Sequence, residues 1–297
     1  MKKILLSVLF LGLVFAQDGG KIGMHFLKNG TGARNIAMGD LGVAGNKDVT
    51  SIFYNPANMV IEPKYQIFAA HNEWIQDVKT EIIAASFVLW GIPLAAGVNT
   101  TSIPGIEVRE RPGDPTAEFK AQYFSGSISS GFSPFENLYL GASMKYLYEG
   151  MYSDDASGMA FDLGAAYTGL MENLELGVAV RNMGSMNNLR DEKTVLPTDI
   201  RFGAAYSNEI ESINSNISLV GGIQKYTELK DMHFHAGTEI LWAQLLALRL
   251  GYALGYDAKN ISFGIGINWN SANFDYANTP FTDNFGSGHT ISLMYTF

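Results

Sequence analysis

The chain of 297 residues contains no cysteine. Disulfides, thiolate metal sites, iron–sulfur clusters, lipoprotein anchoring and cysteine nucleophiles are excluded together. Charge is scarce: Asp, Glu, Lys and Arg make up 16% of the residues, against roughly a quarter in soluble domains. What charge there is runs negative, 20 Lys+Arg against 29 Asp+Glu for a net of −9, so there is no basic surface and no nucleic-acid partner is expected. The Gly-x-Ser-x-Gly elbow, His-Glu-x-x-His and the phosphate-binding glycine loop are missing, and with them the ordinary signs of hydrolytic or nucleotide chemistry. No catalytic residue, cofactor or metal is expected, and the chain does not read as an enzyme.

The single long apolar run stands at the start. Met1-Lys2-Lys3 is a cationic lead, Ile4 to Phe15 is apolar, and Val14 and Ala16 are small side chains at the −3 and −1 positions before Gln17, the pattern of a signal peptide cleaved after Ala16. The run falls short of the roughly 20 residues a membrane helix needs. Residues 1–16 are therefore expected to be removed, leaving an exported chain with 18 Lys+Arg against 29 Asp+Glu.

What remains is rich in glycine (32 residues) and aromatics (12%) and alternates with period two. Leu138, Leu140, Ala142, Met144, Tyr146 and Tyr148 oppose Tyr139, Gly141, Ser143, Lys145, Leu147 and Glu149, and the same pattern returns over 159–167, 174–181, 199–206, 261–269 and 290–297. A half-buried soluble sheet also alternates, but its second face carries Lys, Glu and Thr in quantity. Here that face is mostly Gly, Ala and Ser with scattered charge, which suits the inside of a membrane barrel whose apolar band meets lipid.

The expected fold is all-β: a transmembrane antiparallel up-and-down β-barrel of about fourteen strands over 63–297, in the bacterial outer membrane. Strands are expected near 64–73, 80–90, 92–104, 118–132, 137–149, 158–169, 174–184, 196–207, 216–226, 232–241, 245–256, 260–268, 273–279 and 289–297. An even count puts both barrel ends in the periplasm. The tight connections around 91, 133–136, 170–173, 242–244 and 269–272 then fall inside, with 208–215 an exception, and those around 105–117, 150–157, 185–195 and 280–288 outside. Trp90, Tyr146, Tyr148, Tyr167, Tyr206, Tyr252, Trp269 and Tyr295 are candidates for the interfacial girdles. Residues 17–62 do not read as a strand pair; they form an N-terminal hatch or plug inside the barrel, lie beneath it, or trail as a periplasmic tail.

The inner face collects both signs of charge: Lys145, Glu149, Asp162, Glu175, Arg181, Asp199, Arg201, Glu239, Arg249 and Asp275. Mixed signs on neighbouring strands point to a structural ion-pair network rather than an ion-selective lining. His233, His235 and Glu239 share one face of one strand, but alternate residues there lie about 7 Å apart, too far for one metal ion without help from a neighbouring strand, so they read as polar filler.

Two stretches of the N-terminal segment, Gly32-Ala33-Arg34-Asn35-Ile36-Ala37-Met38-Gly39 and Ser51-Ile52-Phe53-Tyr54-Asn55-Pro56-Ala57, resemble the signature of FadL-like outer-membrane proteins. Phe161-Asp162-Leu163-Gly164, Val180-Arg181-Asn182-Met183-Gly184, Leu246-Ala247-Leu248-Arg249-Leu250-Gly251-Tyr252, Phe274-Asp275-Tyr276-Ala277 and Gly288-His289-Thr290-Ile291-Ser292-Leu293 extend the likeness to the PorV/PorQ branch associated with type IX secretion. The resemblance implies a fourteen-stranded barrel whose hatch motif is Asn55-Pro56-Ala57. It also implies a non-enzymatic docking or shuttle role in protein secretion or surface attachment, with type IX translocon subunits and secreted proteins bearing C-terminal signal domains as partners. The compact outside loops depart from that branch. The alternative is a FadL-like transporter of hydrophobic small molecules across the outer membrane, with Ile52, Phe53 and Met59 as pocket candidates; a general porin comes third. The aromatic Phe297 after an alternating last strand resembles the signal read by the outer-membrane assembly machinery, the remaining partners being that machinery and outer-membrane lipid.

Overall fold

Alternation of large apolar with small or polar side chains gives each strand one face for lipid and one for an interior. The structure, a computed structural model, describes residues 22–109 and 111–297; the expected leader at 1–16 and its junction with Gln17 lie outside the described residues. Strands are β1 (Gln66–Glu73), β2 (Lys79–Leu89), β3 (Ile92–Val108), β4 (Ala117–Phe135), β5 (Leu138–Met151), β6 (Asp154–Tyr167), β7 (Leu174–Met186), β8 (Asn188–Leu189), β9 (Glu192–Lys193), β10 (Asp199–Ile210), β11 (Ser215–Tyr226), β12 (Met232–Trp242), β13 (Leu246–Leu254), β14 (Ile261–Trp269), β15 (Ala272–Pro280) and β16 (Ser287–Thr296). β8 and β9 form a small ribbon within one loop. The other fourteen close into an antiparallel barrel in chain order, with β1 paired to both β2 and β16. Closure leaves no free edge, so each barrel strand is hydrogen-bonded to a neighbour on both sides, as a membrane span without water requires.

Turn chemistry sets which rim is which. At one rim the strands are joined by turns such as Trp90-Gly91 and Ala243-Gln244, in which both residues have positive φ, the twist that matches a tight hairpin. Asn137, Asn173, Asn214 and Asn270 take the left-handed conformation at the same rim, which asparagine tolerates better than most residues. The start of β1 and the end of β16 lie there too. This is the periplasmic rim, and the longer connections lie opposite.

Two outside loops are shorter than their sequence suggests. β5 and β6 run on to Met151 and Asp154 and leave only Tyr152-Ser153 between them, so the connection expected over 150–157 is mostly strand. Asp154 and Asp155 remain paired because the ladder continues past the membrane, where water solvates their carboxylates. β3 likewise passes Pro104-Gly105 through a bulge between Ile103 and Ile106, a position where a strand accepts proline and glycine.

The outward face is a continuous apolar surface carrying Ile83, Ile128, Phe132, Leu163, Phe202, Leu248, Ile265 and Ile291, all exposed. Such an area exceeds what a soluble monomer presents. Trp90, Trp242 and Trp269 stand exposed at the periplasmic ends, where amphipathic rings meet headgroups. A closed barrel with this belt is an outer-membrane protein. Extracted in mild detergent, it is expected to run faster unboiled than boiled on a denaturing gel; equal mobility at both temperatures would contradict the closed barrel.

Candidate functional site: the filled lumen

Fourteen strands enclose more space than their inward side chains fill. Residues 22–62 occupy it: between Ile22 and Ile61 only His25 is exposed. The segment holds two short helices, α1 (Ala33–Ala37) and α2 (Asn58–Ile61), and single 3-10 turns at His25–Lys28 and Val49–Phe53. The small inward residues of the wall make room for it. A Cβ at Gly141 would collide with the Pro56 backbone, and one at Gly177 with the Val43 carbonyl.

Polar latches tie one side of the segment to the wall. Asp199 accepts from Arg181 Nη2 at 2.5 Å, Gln224 Nε2 at 3.0 Å and Arg201 Nε at 3.3 Å. Both guanidiniums also reach inward: Arg201 donates to the Leu41 and Asp40 carbonyls at 2.7 and 3.1 Å, and Arg181 to the Phe53 carbonyl at 2.5 Å. They flank the Tyr54 ring at 5.5 and 6.0 Å, and the Tyr54 hydroxyl donates to Asp40 at 2.8 Å. Nearer the periplasm, Arg249 bridges Glu239 at 2.5 Å and Asp275 at 2.6 Å, and Arg34 closes on Glu239 at 2.9 Å.

The charged residues singled out from sequence thus fall into separate groups. Lys145 pairs with Asp162 at 2.5 Å, apart from the Arg181–Asp199–Arg201 and Glu239–Arg249–Asp275 groups. Among the described residues Glu175 forms no salt bridge; one of its oxygens accepts from the Gly45 amide at 2.7 Å. His233, His235 and Glu239 do not converge, since His233 stacks on Tyr256 at 4.1 Å and His235 bonds the Gly39 carbonyl at 2.6 Å. Among the described residues no group of three His, Cys, Asp or Glu is placed to hold a metal.

Asn55 links the segment to itself and to the wall: its Nδ2 donates to Val43 O at 2.8 Å and Ala165 O at 3.1 Å, and its Oδ1 accepts from Ala57 N at 3.1 Å. Pro56 lies against Gly141, and Ala57 caps α2. Phe297 stands at the periplasmic rim, its amide bonded to Tyr65 O at 3.0 Å and its ring exposed.

The side facing β1–β3 is held differently. Ile52, Phe53, Met59 and Val60 pack on Phe68, Ala70, Ile82, Ala84 and Ala95 in one apolar cluster. Among the described residues the hydrogen bond from Val49 N to Gln66 Oε1 at 2.9 Å is the polar tie there. An apolar interface can part without leaving unpaired charge; the latched side cannot.

Two openings flank the segment. A cavity of about 570 Å³ faces the periplasm, lined by Lys47, Glu62, Lys64, Glu175 and Arg249 among others. Burial works against the Glu62 carboxylate, but hydrogen bonds from Lys64 and Lys47 outweigh it and hold its pKa below the ordinary value. At the extracellular rim, Trp74, Ile75, Val78, Tyr256, Lys259 and Phe281 line a groove of about 410 Å³. Lys259 Nζ sits 5.0 Å from the Tyr256 ring and 5.5 Å from the Trp74 ring, and burial lowers its pKa. A narrow cleft of about 20 Å³, sharing Trp74 and Lys259, lies against Ile36, Gly39 and Asp40.

Sequence reasoning did not single out Arg34, Asp40, Tyr54 or Trp74 as site residues. Arg34 and Tyr54 stood inside the quoted N-terminal motifs, so a charge and a hydroxyl bracketing a glycine-rich stretch were the available signal.

Neither a family model nor a curated protein matches the chain. Among solved structures, a CymD monoaromatic hydrocarbon channel superposes with a TM-score of 0.66 at 12% identity, covering 90% of this chain and 98% of that one. Two mutants of a TodX monoaromatic hydrocarbon channel follow, with TM-scores of 0.60 and 0.59, each at 13% identity with 90% and 98% coverage. The likeness is one of fold: the chain is built as an outer-membrane β-barrel of this kind.

Proposed function

We propose that the protein passes hydrophobic small molecules across the outer membrane, with residues 22–62 acting as a hatch and no catalytic step involved. The observation that carries this reading is the extracellular groove, whose aromatic walls share Trp74 and Lys259 with a narrow cleft that lies against the hatch at Ile36 and Gly39. A porin for ions or sugars needs an open polar constriction, whereas an apolar solute needs a dry surface and a plug that yields on its apolar side. The β1–β3 interface supplies such a side, with Ile52, Phe53 and Met59 facing it. That the solved channels of similar fold are monoaromatic hydrocarbon channels supports the same solute class.

The test is uptake of toluene by cells carrying the protein. Trp74→Ala removes the ring shared by groove and cleft and is expected to cut uptake several-fold while the unboiled gel band is retained. Full uptake with Trp74→Ala would remove the groove from the route.

The second reading is the PorV/PorQ-type docking role in type IX secretion, supported by the order of its motifs from Gly32 to Leu293. Purification from native membranes in mild detergent separates the two. Co-purified translocon subunits or secreted proteins with a shared C-terminal domain would favour docking; a bound apolar molecule would favour transport.

A further inference from the structure

The apolar belt is interrupted in one sector of the wall, on β1 and β2. β13 and β14, of nine residues each, show the unbroken pattern: every outward position is apolar, from Leu246 to Leu254 and from Ile261 to Trp269. β1 has eight residues, and outwards it offers Ile67 and Ala69, then His71 and Glu73; β2 sets Glu81 and Lys79 beside them, above Ile83. All four polar side chains are between 44 and 59% exposed. At about 2.5 Å of height per residue in a tilted strand, His71 stands ~15 Å above Tyr65 at the periplasmic rim, inside an apolar band ~25 Å tall.

Within one copy these groups are only partly satisfied. His71 Nδ1 lies 2.7 Å from Glu81 Oε1, and Lys79 Nζ stands 4.0 Å from Glu73 Oε1. Ionisable side chains on a lipid-facing wall are costly, and where they occur they mark a partner or a function. Anionic headgroups suit the sector poorly, since two carboxylates flank Lys79. A second copy suits it well. Copies in one membrane share its up and down, so a two-fold axis between them runs along the membrane normal and makes the same patch face itself. With that axis between β1 and β2, β1 of each copy faces β2 of the other. Glu73 and Lys79 are opposite in register, as are His71 and Glu81, so acid meets base and imidazole meets carboxylate across the contact as well as within each wall. Lower down, Ala69 and Ala85 are small outward residues, which let two walls approach closely.

We propose that the outer face of β1 and β2 is the contact between two copies of this protein in the outer membrane, a two-fold pair in which Glu73 and His71 of each copy meet Lys79 and Glu81 of the other. The order of charge across the two strands is what makes the face self-complementary: acid on β1 beside base on β2 in the upper row, imidazole on β1 beside acid on β2 in the lower one. The contact covers polar groups that hydrocarbon cannot solvate. It lies on the outside of the wall, so the inference does not depend on what the barrel carries.

The absence of cysteine makes a clean test available. Ala69→Cys on β1 and, across the barrel, Leu219→Cys on β11 each place one thiol on the outward face. Each variant is treated with a short bismaleimide in intact outer membranes and run on a denaturing gel. Ala69→Cys is expected to give a band of twice the monomer mass in several-fold higher yield than Leu219→Cys, with a yield that does not fall as expression is lowered. Glu73→Lys added to Ala69→Cys sets lysine against lysine and should weaken the band several-fold. Adding Lys79→Glu as well reverses the charge order on both strands and should restore it. The heat-dependent gel shift checks that each variant is a folded barrel; where Glu73→Lys does not fold, Lys79→Glu alone sets carboxylate against carboxylate and tests the same point. A dimer band no stronger at residue 69 than at 219, or one that charge reversal leaves unchanged, would overturn the pair. A monomer that keeps a phosphate-bearing outer-leaflet lipid through extraction, and loses it with Lys79→Glu, would overturn it too and assign the sector to headgroups.

Discussion

Replacing Asp199 with alanine is expected to destabilise the folded barrel by about 3–5 kcal/mol, the range for removing one member of a buried ion pair. The carboxylate is fully buried and is shared by two guanidiniums that are themselves buried. Without it, Arg181 and Arg201 keep their bonds to the Phe53, Asp40 and Leu41 carbonyls, but two positive charges face each other across Tyr54 without the carboxylate they shared. Charge, not hydrogen-bond number, decides the loss. The measurement is the temperature at which the fast unboiled gel band converts to the slow one, backed by a urea midpoint. Glu228→Ala in the exposed β11–β12 loop is the control and should stay within about 0.5 kcal/mol of the parent. An Asp199 variant as stable as that control would mean that water, not the carboxylate, solvates the two guanidiniums.

Why the barrel was legible and the latches were not follows from the range of each signal. Alternation is local: Lys145, Asp162, Arg181 and Asp199 sit at inward positions because their neighbours Met144, Phe161, Val180 and Ile200 face lipid. Partners depend on register across strands and on which part of residues 22–62 comes opposite. Arg249 reaches Glu239 on β12 and Asp275 on β15, and neither pairing is written in the spacing of 239, 249 and 275. Arg34 joins them from a segment that carries no period-two pattern at all. The small inner face was readable as narrow space, but glycine at 141 and 177 is explained only by the backbone packed against it. The outside connection at 150–157 was misjudged for a related reason, since polarity marks the end of the membrane and not the end of a strand. The aromatic mouth could not be found by pattern either, because Trp74, Tyr256 and Phe281 come from three loops.

Removing all three charges together is expected to do the opposite of removing one. In Arg181→Ala, Asp199→Ala, Arg201→Ala no buried charge is left unpaired, so the barrel should recover much of the stability that Asp199→Ala loses. The hatch, however, loses its ties at Asp40, Leu41 and Phe53 on the latched side, keeping Arg34–Glu239, Asn55 and the apolar interface with β1–β3. A barrel of this strand number without a firmly seated plug offers an aqueous path. In planar bilayers the parent protein should therefore conduct little, and the triple variant should show openings an order of magnitude larger, with the gel shift preserved in both. Stability and sealing respond differently because the ion group does two jobs: its pairing through Asp199 concerns the wall, whereas its inward hydrogen bonds concern the hatch. A triple variant as tightly closed as the parent would place the seal in the packing of residues 43–60 against the wall, and the guanidinium latches would then be spectators to gating.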